Sequence, residues 1–258
     1  MTIPKRLDMR NLPPRQVLPD GLKKYLLKKT DEILKLPDGE SRKQAAKQKY
    51  KSSRTTKSFK LVLSWLRGLC GKVEVCMYCS RNKPSHLDHY RPQSVFPELA
   101  FDSDNFLWSC DICNCINKGH RFPPDTETGE LILNPIDDNV WDYFFLEKGI
   151  LIPLLSSNRE DYMPRAVSTC AVVRINSDDL QLSRNRRYKS ISKALARALI
   201  EFQQGKNSVE ALRDEVDEIR SDAFQADVAD YFLNGPGRVD EPFRSALIAI
   251  GEEVETEV

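Results

Sequence analysis

The sequence predicts a mostly helical α+β chain with a small mixed α/β insert. Three observations carry that reading. Two C-x-x-C pairs, Cys76-Met-Tyr-Cys79 and Cys110-Asp-Ile-Cys113, bracket a stretch of 30 residues. The segments on either side carry apolar residues at helical spacing. All three histidines of the chain, His86, His89 and His120, fall within or just beside the bracket.

The elements follow in order. Residues 1–19 hold four prolines and read as an extended arm. From Gly21 to Leu36, Leu22, Leu26, Ile33 and Leu34 recur at helical spacing among lysines. Pro37-Asp38-Gly39 breaks that helix. Glu40 to Tyr50 is polar and helical. Thr56 to Leu69 is a stronger amphipathic helix, with Phe59, Val62, Leu63, Leu66 and Leu69 on one face, ending near Gly71. Beyond the bracket, Gly129 and the run Leu131-Ile132-Leu133 precede Asn134-Pro135. Tyr143 to Leu146, a Lys148-Gly149 turn and Ile150 to Ile152 then read as a hairpin. From Ser177 the pattern is helical, with Ser177 as N-cap before Asp178-Asp179. That helix is expected to reach Gln204. A second covers Ser208 to Leu233 and stops at Asn234-Gly235-Pro236-Gly237. A short last helix covers Glu241 to Ile250. Three regions result: 1–70, 71–155 and 156–258.

Bulk properties narrow the class. The 258 residues are 40% hydrophobic and 30% charged, which suits a soluble globular protein. No apolar run approaches a membrane span. The N-terminus lacks the apolar stretch of a secretory signal, so the chain reads as cytoplasmic, where thiols stay reduced. Seven cysteines, with Cys70, Cys115 and Cys170 outside the two pairs, also argue against a closed disulfide framework. The net charge of +1 conceals an asymmetry. Residues 1–60 hold 17 Lys and Arg against 6 Asp and Glu, whereas residues 200–258 hold 5 against 15. A basic front suits phosphate tracking; an acidic tail suits a protein partner or the chain's own basic segment.

The bracket carries the chemistry. A C-x-x-C turn lets two thiolates share one metal, and two such turns fill a tetrahedral zinc with sulfur. Such a site is closed and structural. Between the pairs stands His86-Leu-Asp88-His89. Neighbouring residues on a strand face opposite ways, so one can hold a metal while the other addresses a water. Asp88 is a hard oxygen ligand suited to Mg²⁺ or Mn²⁺, and His89 is a natural base near neutral pH. Asn105 precedes the second pair, and Asn114 follows Cys113 directly.

The run C-M-Y-C, H-L-D-H-Y-R-P-Q-S, then D-N-F-L-W-S-C-D-I-C-N-C-I-N-K-G-H-R-F-P resembles an HNH endonuclease of the zinc-bracketed kind. The resemblance implies a ββα-metal finger, placed here between the two helical regions. By position it makes Asp88 the first ligand of a catalytic Mg²⁺ or Mn²⁺ and His89 the general base. Asn105 becomes the residue that pins the hairpin loop, and Asn114, preferred over the nearby Asn117, the last metal ligand. Cys76, Cys79, Cys110 and Cys113 take the zinc. His86, Arg91 and Lys118 are supporting residues, the last two toward phosphate.

Looser similarity over about residues 70–190 points to the HNH proteins of bacterial anti-phage systems, Septu and some retrons. It rests on Leu-Asn-Pro with Asp137-Asp138, Gly149-Ile-Leu-Ile-Pro, and Ile175-Asn176 before Leu180 and Arg186-Arg187. Cys115 and His120 depart from the polar residues expected at their positions. The resemblance implies cleavage of DNA with an ATPase partner, in a retron alongside a nucleic-acid component. Three other readings stay open: a restriction or homing nuclease, an RNase, and a zinc-stapled binding module without catalysis.

Overall fold

The computed structural model describes residues 17–70, 74–123, 132–158, 160–221 and 242–251. They form a mostly helical α+β fold with two antiparallel two-stranded sheets. Two compact units divide them. One holds the described residues up to Asp138 together with Pro164–Ile175; the other holds Asn139–Met163 and the described residues from Asn176 onward. The N-terminal helices join the cysteine bracket in one unit, and the second hairpin joins the C-terminal helices in the other.

The first unit opens with α1 (Asp20–Leu34), α2 (Glu40–Ser53) and α3 (Lys57–Gly68). The break between α1 and α2 falls where the Pro-Asp-Gly run places it. Gly39 takes φ +101°, open to glycine and strained for other residues. Thr56 caps α3, its Oγ1 accepting from the Phe59 amide at 3.3 Å. Phe59, Val62 and Leu66 form the buried stripe of α3. The Phe59 ring meets those of Tyr50, Phe101 and Phe106 edge-on, joining the helices to the bracket.

Within the bracket, β1 (His86–His89) pairs antiparallel with β2 (Phe106–Ser109), in the register His86 to Ser109 and His89 to Phe106. The connection carries two single 3₁₀ turns, Pro97–Leu99 and Ser103–Asn105. A short helix, Ile112–Lys118, follows β2 and is wound as a π-helix. The Gly119 amide closes it on the Asn114 carbonyl, five residues back, at 2.6 Å.

Sequence patterning misses α4 (Pro164–Val173). Its run Pro-Arg-Ala-Val-Ser-Thr-Cys-Ala-Val-Val is rich in β-branched residues, which lower helix propensity. Tertiary bonds hold it instead. Arg165 grips Asp138 with two bonds of 2.7 and 2.8 Å. Thr169 Oγ1 accepts from the Leu133 amide at 2.9 Å, and Asn117 Nδ2 donates to the Val173 carbonyl at 2.9 Å.

The second unit contains the expected hairpin, β3 (Phe144–Glu147) with β4 (Ile150–Pro153). Lys148 at φ 49° and Gly149 at φ 87° make a two-residue turn with both central residues left-handed. This turn packs on α5 (Asp178–Gln203), where buried Arg184 donates to the Gly149 carbonyl at 2.9 Å. Asn176 pairs with both backbone groups of Leu151, at 3.0 and 2.8 Å. Ser177 sits at the N-cap but makes no capping bond; its hydroxyl donates to Asp179 Oδ1 at 2.7 Å. Two more helices, α6 (Val209–Ser221) and α7 (Phe243–Ala249), pack with α5. The expected arm up to residue 16, Gly71, Gly129, Leu131, and the Ser208–Leu233 helix beyond Ser221 with its stop lie outside the described residues. Among the described residues, no helix is long and apolar enough to cross a membrane.

Candidate functional site

The four paired cysteines converge. Their sulfurs lie within 4.8 Å of one another, and all four residues are buried. A tetrahedral zinc with bonds of about 2.3 Å needs sulfurs about 3.8 Å apart, so small side-chain adjustments suffice. The first turn is shaped by the Cys76 amide donating to the Asn82 carbonyl (2.9 Å) and the Ser80 amide donating to the Cys76 carbonyl (2.8 Å). Ser80 takes φ 52° to allow this. The Met77 amide donates to the Trp108 carbonyl at 3.0 Å, fastening the turn to β2. Cys110 Sγ accepts from the Cys113 amide (3.5 Å) and from Asn82 Nδ2 (3.7 Å). The neighbouring Cys113 thiol, then those of Cys76 and Cys79, hold Cys110 far below the usual thiol range. The same close contacts push Cys76 and Cys113 up, so they stand as thiols around the Cys110 thiolate. Four sulfurs gathered this closely could hold a dication such as zinc, whose binding would displace the remaining thiol protons.

Beside this centre, β1 presents Asp88 and His89, both buried. Asp88 has two partners. The Tyr78 hydroxyl, from within the first cysteine turn, donates to Oδ2 at 2.6 Å. Lys118 Nζ lies 3.0 Å from Oδ2 and 3.2 Å from Oδ1, and donates to the His89 carbonyl at 2.7 Å. Lys118, fully buried, is thus the cation of the Asp88 carboxylate rather than a surface group awaiting phosphate. Burial keeps Tyr78 protonated and far above its usual range, with the Asp88 charge adding to the effect.

His89 is fixed through Nε2, 3.0 Å from the Ala100 carbonyl. A carbonyl only accepts, so Nε2 carries the proton. Burial lowers the affinity of the ring for a second proton, against the opposing pull of Ala100 and Asp88. Neutral His89 therefore keeps its lone pair on Nδ1. The ring packs edge-on against Tyr50 of α2 (centroids 4.8 Å apart) and Phe106 of β2 (5.5 Å).

Asn105, also buried, closes the loop between β1 and β2. Its Oδ1 accepts from the Arg91 amide at 2.7 Å, and its Nδ2 donates to the carbonyls of Arg91 (3.0 Å) and Leu99 (3.2 Å). Leu99 precedes Ala100, so Asn105 steadies the carbonyl that orients His89.

The two asparagines of the short helix separate clearly. Asn117 is buried and committed to the Val173 carbonyl, whereas Asn114 is half-buried and uses only its backbone in the helix. Arg91 is half-buried, with its backbone held by Asn105. His86, half-buried at the start of β1, lies 3.4 Å from Asp111. His120 is exposed and shares a 3.3 Å hydrogen bond with Ser94.

Sequence reasoning missed Tyr78, Tyr50 and Ala100. Tyr78 had a signal, since it lies inside the C-x-x-C turn. The other two are brought to His89 by tertiary packing alone. No protein-family model, curated protein or solved structure matches the chain.

Proposed function

We propose that the chain is a phosphodiester-cleaving nuclease of the HNH kind, with a structural zinc in the four-cysteine centre. One observation carries the reading: a neutral histidine, proton fixed on Nε2 by the Ala100 carbonyl, stands next to the buried, cation-paired Asp88. In this proposal His89 Nδ1 takes the proton of the attacking water, as general-base catalysis requires. The fixed Nε2–H bond holds the ring in the required tautomer, and Asn105 holds the loop that supplies the carbonyl.

A buried carboxylate demands a positive charge, so the Asp88 position fits a cation by charge. Lys118 supplies that charge in this conformation. In the proposal Asp88 and Asn114 would hold Mg²⁺ or Mn²⁺ once Lys118 moves aside, and the ion would neutralise the scissile phosphate and the leaving oxygen. DNA is the proposed substrate. The acidic stretch 200–258 is the proposed docking segment for an ATPase partner of an anti-phage system.

The test is nicking of supercoiled plasmid with and without Mn²⁺. The parent should nick, and His89→Ala should lose at least about a hundredfold, the scale of general-base catalysis, while keeping zinc and fold. Equal nicking by the two proteins would remove His89 from the chemistry. One observation favours a second reading, a zinc-stapled binding module: the Lys118 ammonium already fills the cation position of Asp88. Under that reading the parent binds DNA or a protein partner and nicks nothing with any divalent metal.

A further inference from the structure

We propose that His86, Asp111 and Cys115 form a second zinc-class metal site, distinct from the four-cysteine centre, with three protein ligands and an open fourth position. One ligand atom from each residue lies within 4.8 Å of the other two. His86 Nε2 and Asp111 Oδ1 are already 3.4 Å apart. Ligands bound at about 2.0–2.3 Å around a tetrahedral zinc stand about 3.3–3.8 Å from one another. Closure therefore needs only side-chain rotation of about 1 Å or less.

The donor set selects the metal. Imidazole nitrogen, carboxylate oxygen and thiolate sulfur together suit Zn²⁺, Co²⁺ or Ni²⁺, whereas Mg²⁺ and Ca²⁺ prefer all-oxygen shells. Three protein ligands with a fourth position left to water is the arrangement of open zinc sites. Asp111 and Cys115 are exposed and His86 is half-buried, so solvent reaches that position.

The three backbones are pinned by the neighbouring structure. His86 pairs with Ser109 in the β1–β2 ladder, one residue before Cys110. Asp111 lies between Cys110 and Cys113, and Cys115 lies four residues after Asp111, near one helical turn on the same side. A metal in the four-cysteine centre would thus hold the second ligand set in place, and such support preorganises metal sites. A surface ion pair between His86 and Asp111 would account for two of the three groups, at little energetic value. It leaves aside Cys115, a thiol of a kind rare on protein surfaces, which hydrogen-bonds to Asp111 and so brings a third donor to the same point.

The site makes no use of His89, Asp88 or Lys118, so it stands whether or not the chain cuts nucleic acid. The test is metal stoichiometry on the full chain, reconstituted with zinc under reducing conditions and dialysed. The parent should hold two zinc ions per chain, and Cys115→Ser, His86→Ala and Asp111→Asn should each hold one. In the cobalt-substituted protein, Cys115→Ser should remove about a fifth of the thiolate-to-cobalt charge-transfer intensity, one thiolate of five. A measurement without mutation runs alongside. Zinc added beyond the first equivalent should slow alkylation of Cys115 by iodoacetamide at least about tenfold, because the bound thiolate is no longer free to react. One zinc in the parent, two in all three variants, or unchanged alkylation of Cys115 would each overturn the proposal.

Discussion

Lys118 Nζ and the Asp88 carboxylate form a buried ion pair 3.0 Å apart, with side-chain exposures of 0% and 5%. Neither charge reaches water, so each depends on the other. Lys118→Met or Asp88→Asn alone leaves one buried charge uncompensated and should cost about 3–5 kcal/mol. The double variant should cost clearly less than the two losses combined. Urea denaturation of all four proteins measures this, and simple additivity would refute the pairing. Lys118→Met should also tighten Mn²⁺ binding, read by calorimetry, because the carboxylate then lacks its cation.

Asn105→Asp should be worse than Asn105→Ala. The aspartate keeps an acceptor for the Arg91 amide but points its second oxygen at the carbonyls of Arg91 and Leu99, where Nδ2 now donates. Alanine only removes the bonds, at about 1–3 kcal/mol. Amide hydrogen exchange across residues 90–105 should accelerate in both variants, more in the aspartate. The opposite order would mean that those carbonyls find other donors.

Gly149→Ala should lower the melting temperature well beyond the effect of Gly205→Ala. Both glycines have positive φ, 87° and 68°. A Cβ at Gly205 meets nothing within 4 Å, whereas at Gly149 it would lie 2.3 Å from the Gln181 carbonyl and 2.9 Å from the Asn185 amide. The Gly205 change should cost about 1 kcal/mol from backbone strain alone; the Gly149 change adds a collision with the backbone of α5. Equal melting shifts would show that the turn does not rest on α5 in solution.

Removing the zinc proposed for the four-cysteine centre should act locally. A strong chelator, or Cys76→Ala, should abolish exchange protection in β1, β2 and the Ile112–Lys118 helix, since a metal that organises a small finger supplies its folding energy. Protection in β3, β4 and α5 should survive, because those elements belong to the other compact unit. Uniform loss of protection in both units would show that they unfold together.

Much of this was legible in the sequence because it is encoded locally. The Pro-Asp-Gly break, the start of α3 at Thr56 and the Lys148-Gly149 turn each depend on residues a few positions apart, and each appears where the pattern puts it. The cysteine spacing likewise announced the convergence of four sulfurs. What escaped is decided by partners distant in sequence. Helix α4 has weak intrinsic propensity and stands on Arg165, Thr169 and the Asn117 bond. Lys118 reads as an exposed phosphate contact until the fold carries it 30 residues back to Asp88. The Ala100 carbonyl has no side-chain signature at all. For the same reason only the fold shows that Asn117 is spent on the Val173 carbonyl.

The widened winding of the Ile112–Lys118 helix sets an address. In an ordinary helix of 3.6 residues per turn, five steps carry a side chain roughly 140° away from where it began. Cys113 and Lys118 would then look in different directions. The π-wound turn absorbs the surplus residue, and both end up buried, with Asn117 beside them. One sulfur and one ammonium, five positions apart, are delivered to the interior by a single turn. Deleting one residue from that turn would re-time the helix and send either the sulfur or the charge out toward solvent. The length of this short segment therefore acts as a gauge, fixing the distance between the four-cysteine corner and the Asp88 strand.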